Sequence, residues 1–141
     1  MDISAVNYIA VILAAIASYA FGAGWYMLLA NPWMAALGKT EADIKGPDGK
    51  GPSPVPFIAS FVAQLVMAFV FVNLLGHFGA DRVTLTSAVL SGVMIWLGFV
   101  ATTLVTNHAF QGAKPSLTLI DGGHWLGVLV LQGAVIGLVG V

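Results

Sequence analysis

Residues 83–106 read VTLTSAVLSGVMIWLGFVATTLVT, twenty-four positions without a charged side chain or a proline. At about 1.5 Å per residue such a helix is about 36 Å long, enough to cross a hydrocarbon core of roughly 30 Å. Three more stretches share this character: residues 6–29, 57–76 and 117–141, all proline-free. The one charged side chain in any of them is Asp121, near the start of the last. A charge at a helix centre costs about 2.5–3.5 kcal/mol on insertion scales, so this clearing carries information. The pattern predicts an all-α integral membrane protein, a four-helix bundle forming one transmembrane domain over residues 1–141.

Composition agrees. Of 141 residues, 59% are hydrophobic and 8% charged, and the mean hydropathy is +0.96. Five Lys and Arg with six Asp and Glu cannot coat a soluble exterior, which needs roughly a quarter charged residues. A net charge of −1 argues against nucleic acid as a partner. The absence of cysteine rules out disulfides, thiol nucleophiles and Cys-ligated metal.

The first span reads as a retained membrane helix rather than a leader. Asp2 replaces the usual basic n-region, and the apolar run exceeds 7–15 residues. Four spans put both termini on one face, with the connections after helices one and three on the other. That loop face holds Lys39, Lys45, Lys50 and Lys114 against Arg82 on the termini face. The positive-inside rule then makes the loop face cytoplasmic and the termini extracytoplasmic, in a multi-pass arrangement.

In the first connection, Asn31-Pro32 reads as an N-cap and first helical position, opening a short interfacial helix over about 32–44. Residues 46–56, GPDGKGPSPVP, then read as a turn and a stiff linker, rich in proline and glycine. The short 76–84 connection predicts that helices two and three form an antiparallel hairpin.

Within lipid, small residues and buried polar groups drive helix association. Ala10, Ala14, Ser18 and Gly22 recur every fourth residue on helix one, Ala88 and Gly92 on helix three, and Gly133 and Gly137 on helix four. Packing inside one bundle is the simplest use of these stripes, and self-association the next. Depth arithmetic pairs Gln64 with Ser18 or Tyr19, and Asn73 with Gln132. No continuous polar path joins these levels, which argues against a pore.

Reactive side chains gather at the loop face. Trp25 and Tyr26 close helix one, Asn107 and His108 close helix three, and Asp121 and His124 open helix four. Asp121 and His124, three apart, share a helix face, so the carboxylate could orient the imidazole. These six residues form a candidate ligand or metal site. An aromatic belt with an interfacial helix start is the simpler explanation of them.

The runs Gly22-Ala23-Gly24-Trp25-Tyr26, Trp33-Met34, Leu37 through Ile44, and Trp96 through Thr103 resemble a known family, as do Asn107, Phe110, Gly112 and Ile120-Asp121-Gly122-Gly123. It is the family of small four-helix bacterial membrane proteins known as domain of unknown function 1761. The resemblance covers nearly the whole chain and implies a bacterial inner membrane, but carries no activity. The family usually shows Asn, Gly and Tyr-His where Asp121, Gly123, His124 and Trp125 stand here. Met27 through Pro32 also replaces a common Gly-Lys step.

Three classes of function follow. The first is a non-catalytic membrane subunit, self-associating as a homo-oligomer or accessory to a larger membrane complex. The second is a small membrane enzyme or ligand-binding protein with its site at the loop face. The third is an oligomeric channel or transporter. The first is preferred, so an enzyme is not expected. No cofactor is predicted beyond bound lipid, with metal or pigment as lesser alternatives.

Overall fold

The computed structural model describes residues 6–46, 49 and 51–141. Asp2, Pro47, Asp48 and Lys50, used above, lie outside the described residues. Among those described there is no strand, and four helices are long and apolar enough to cross a membrane: Tyr8–Leu28, Val55–His77, Leu85–Phe110 and Pro115–Val139.

Helix α1 (Tyr8–Leu28) begins at Asn7, whose side chain accepts from the Ala10 amide at 3.2 Å, a standard N-cap bond. The same side chain donates to the Gly140 carbonyl at 3.3 Å, tying the start of α1 to the end of the chain.

The single interfacial helix expected over 32–44 is two helices, α2 (Ala30–Leu37) and α3 (Glu41–Lys45). Gly38 breaks it with φ 68°, a left-handed C-cap that glycine adopts without a Cβ clash. Nor is Asn31 the N-cap. Leu29 is, so one residue separates α1 from α2. Pro32 falls in the first turn of α2, where its missing N–H has no helical acceptor anyway.

Thr40 and Asp43 form a capping box at α3, with the Thr40 hydroxyl 2.6 Å from the carboxylate. These hydrogen bonds hold the Asp43 carboxyl below its usual range, and the bond from Lys45 does the same for Glu41. A depressed carboxyl supports the fold above its unfolded pKa and loses that support as pH falls through the folded value. The helical shifts of residues 41–45 should therefore persist from neutral pH to about pH 4 and fade only below it. NMR titration checks this; fading already complete above the ordinary aspartate range would contradict the box.

Two helix starts lie earlier than expected, for one reason. Helix α4 (Val55–His77) takes Pro56 into its first turn, and α7 (Pro115–Val139) opens on Pro115. Proline's fixed φ suits the first turn, so these residues open helices rather than preceding them. The third span runs on to Phe110 as α5 (Leu85–Ile95), a π-helical turn at Trp96–Ala101, and α6 (Thr102–Phe110). Around that turn the Thr102 and Thr103 hydroxyls bond back to the Gly98 and Phe99 carbonyls, competition that often bends helices.

Helix α7 is central, with α1 on one side and α5 on the other, and α4 lies against α1. The expected α4–α5 hairpin is joined in sequence but is not a packed pair. The two meet through side chains such as Phe71, whose ring lies beside Gly92. The closest approach is α5 on α7. A Cβ on Gly92 would lie 2.6 Å from the Leu129 carbonyl oxygen, and one on Gly133 would lie 2.6 Å from that of Ala88. Ala10, Ala14, Ala68, Phe71, Val72, Leu129 and Ile136 fill the core between the helices.

Relative register corrects the depth pairing. Tyr26 meets Asp121 while Asn7 meets Gly140, so the first turns of α7 project past the loop end of α1. Gln132 consequently sits level with Ser18 and donates to its hydroxyl at 3.1 Å and to the Gln64 carbonyl at 3.0 Å. Asn73, expected to meet Gln132, bonds instead to Phe69 on its own helix at 2.8 Å. The expected arithmetic assumed that all helices start at one level.

Candidate functional site

The loop end is assembled from α1, α2, α6 and α7. Tyr26, in the last turns of α1, donates its hydroxyl to Asp121 Oδ1 at 2.8 Å. His108, near the end of α6, places Nε2 3.9 Å from Asp121 Oδ2 and Nδ1 2.9 Å from the Thr118 hydroxyl. The 3.9 Å spacing is ion-pair range rather than a hydrogen bond. Thr118, His108, Asp121 and Tyr26 thus make one polar line joining α6, α7 and α1. Both His108 and Asp121 are largely enclosed.

Two indoles grip the same turns of α7 from opposite sides. Trp25 Nε1 donates to the Ile120 carbonyl at 3.1 Å, and Trp96 Nε1 to the Gly122 carbonyl at 2.8 Å. Gly123 lets the Trp25 ring lie flat against α7, since a Cβ there would meet the ring at 2.8 Å. From the loop, Lys114 donates to the Ala35 carbonyl at 2.7 Å, placing a cation at the C-terminal end of α2.

His124 does not join the carboxylate in the expected way. Its ring is buried against α1, with Nε2 2.7 Å from where a Gly22 Cβ would stand. Phe21 stacks on it, and Tyr26 and Trp125 flank it at 4.9 Å between ring centroids. Aromatic packing, not Asp121, orients this imidazole. Asn107 is exposed on α6, and its side chain makes no hydrogen bond among the described residues.

Of the six residues singled out in sequence, Trp25, Tyr26, His108 and Asp121 converge, His124 lies in an adjoining aromatic nest, and Asn107 stands apart. Among the described residues no group of three or more His, Asp or Glu is placed to hold a metal ion. His108 and His124 approach from different helices, which leaves Asp121 without a second imidazole. The line can clamp three helices together.

Thr118 and Trp96 are partners that the sequence reading did not assign. Thr118 stands three residues before Asp121, the spacing of one helix face, and that signal was available. Trp96 sits mid-span, where an indole must find an acceptor when buried. The stripes on α1 and α7 are occupied internally: Ala10, Ala14, Ser18, Gly22 and Gly133 are buried, and a Gly137 Cβ would lie 2.7 Å from Leu85 Cα. A further stripe, Gly98, Thr102 and Thr106 at four-residue spacing, is exposed on the outer side of α5–α6.

Among the described residues these features define a small all-helical protein with four helices long and apolar enough to cross a membrane. No curated protein and no solved structure matches the chain. It belongs to the DUF1761 family, whose model, described as "Protein of unknown function (DUF1761)", matches residues 9–137.

Proposed function

We propose that this protein is a non-catalytic subunit of a bacterial inner membrane. Its four long helices form a transmembrane bundle that pairs with a second copy through α5–α6. The loop end faces the cytoplasm, with Lys39, Lys45 and Lys114 there against Arg82 at the other end. The termini are extracytoplasmic, and lipid covers the remaining apolar surface.

One observation carries this reading. The span Leu85–Phe110 is the least buried of the four, and its outer side keeps the exposed stripe of Gly98, Thr102 and Thr106. Small residues at this spacing let two helices approach closely in lipid, and the Thr102 and Thr106 hydroxyls, bonded back to their own helix, leave no unpaired donor in the contact. The stripes on α1 and α7 are already used inside the monomer, so they do not compete for this role. Two copies inserted in the same sense meet about a two-fold axis along the membrane normal, placing each residue near its own equivalent. Asp121 is already engaged by Tyr26, which weighs against a catalytic carboxylate at the loop end.

The chain has no cysteine, so single-cysteine cross-linking tests the idea directly. Oxidation in native membranes should give covalent dimers for Gly98→Cys, Thr102→Cys and Thr106→Cys, and none for Val62→Cys or Val66→Cys on the exposed side of α4. Gly98→Leu should abolish the dimer while leaving monomer stability unchanged, because nothing lies within 4 Å of its Cβ position. Cross-linking that is absent from all three positions, or equal on α4, overturns the proposal.

A further inference from the structure

Among the described residues, three buried side-chain atoms lack a hydrogen-bond partner: Gln64 Oε1, Gln132 Oε1 and His124 Nδ1. Two of them belong to one junction, where α1, α4 and α7 meet midway along their lengths. There Gln132 Nε2 donates both to Ser18 Oγ and to the Gln64 backbone carbonyl. Ser18, Gln64 and Gln132 are at most 1% exposed.

The deficit is not cured by turning the amides. The Gln64 backbone carbonyl can only accept, so the Gln132 nitrogen must stay where it is. Ser18 spends its own proton on the Ala15 carbonyl at 3.2 Å, so it cannot donate to Gln132 Oε1. Gln64 Nε2 has one long contact, 3.5 Å to Ser60 Oγ. Turning that amide would satisfy its oxygen and strand its nitrogen instead. A buried acceptor left bare costs about 1–3 kcal/mol, and two on one junction make a complementary donor strongly favoured.

The chemistry of that donor follows from its surroundings. A metal cation wants six or more oxygens with carboxylates among them, and no Asp or Glu lies at this level of α1, α4 or α7. Ala14 and Ala68, one turn from Ser18 and Gln64, are fully buried, so the surroundings suit a small neutral molecule. We infer that the junction binds one water molecule, which donates to Gln64 Oε1 and Gln132 Oε1 and accepts no charge. Those two acceptors meet the lower end of the two to four contacts that a buried water requires, while Ser18 Oγ is already taken up by Ala15 and Gln132. The site has a structural purpose. Helix α4 lies mainly on α1, and Gln132 is its hydrogen-bonded link to α7. The water doubles that link.

Solid-state NMR of the isotope-labelled protein in lipid bilayers, with polarisation transferred from water, tests the inference. The side chains of Gln64 and Gln132 should gain water magnetisation several-fold faster than Leu75 and Ile136, which are equally enclosed but apolar. Gln132→Leu should remove the transfer at Gln64. Transfer at both glutamines no faster than at Leu75 and Ile136 would show a dry junction and end the proposal. That wild-type contrast decides the matter even if the variant fails to fold.

Discussion

Gly133→Leu is expected to leave little folded protein in detergent. The Cβ alone would stand 2.6 Å from the Ala88 carbonyl oxygen and 3.2 Å from Val89 Cα. These obstacles are backbone atoms, so no rotamer change clears them. The α5–α7 pair would have to separate along its length, breaking the neighbouring approaches at Gly92 and Gly137 as well. Overpacking costs typically 1–3 kcal/mol where side chains can yield, and here they cannot, so a loss of at least about 3 kcal/mol is expected. Thermal unfolding followed by circular dichroism, beside Gly98→Leu in the π-helical turn that follows α5 as the control, reads it out. Equal melting of the two variants would mean that α5 does not pack on α7 through its glycines.

The second large effect is expected at Gly22→Leu, set against Asp121→Asn. A Cβ at Gly22 would lie 2.7 Å from His124 Nε2, and the remaining leucine atoms would have to enter the nest formed by Phe21, Tyr26 and Trp125. Expelling a buried imidazole and prising α1 from α7 should lower stability by about 2–3 kcal/mol. Asp121→Asn keeps an oxygen to accept the Tyr26 hydroxyl and preserves shape, so a loss below about 1 kcal/mol is expected. Unfolding midpoints in one detergent compare the two. A drop for Asp121→Asn as large as that for Gly22→Leu would make the carboxylate, not the close helix contact, the keystone of the loop end.

Much of this architecture was legible because membrane physics writes in long runs. The cleared spans and the stripes of Ala10, Ala14, Ser18 and Gly22 depend on composition and period alone, and the structure buries all four residues at a helix contact. What sequence could not supply was relative height. Nothing in residues 117–141 says that the first turns of α7 project past α1, and that offset decides whether Gln132 meets Asn73 or Ser18. Orientation around a helix was the second gap. His124 shares a face with Asp121 by spacing, yet Gly22 opens a recess that draws the ring toward α1. The polar line at the loop end was half visible: its members were named, but the bond between Tyr26 and Asp121 joins residues ninety-five positions apart. The starts of α4 at Val55 and of α7 at Pro115 lie two residues before the expected ones because proline signals both the end of a loop and the first turn of a helix.

The helices are of unequal height, and this has a mechanical consequence. Leu85–Phe110 and Pro115–Val139 hold 26 and 25 residues, against 21 for Tyr8–Leu28. At about 1.5 Å each, one flank stands roughly 39 Å tall and the other roughly 31 Å. In the proposed membrane placement, a bilayer of uniform thickness would match the short flank and leave the tall one proud, a hydrophobic mismatch relieved by tilting or by local thickening at fractions of a kcal/mol per Å. Two molecules joined along their tall flanks would share one thickened patch instead of each deforming its own. Lipid elasticity would then press the α5–α6 sides together, and thicker membranes would loosen the pair.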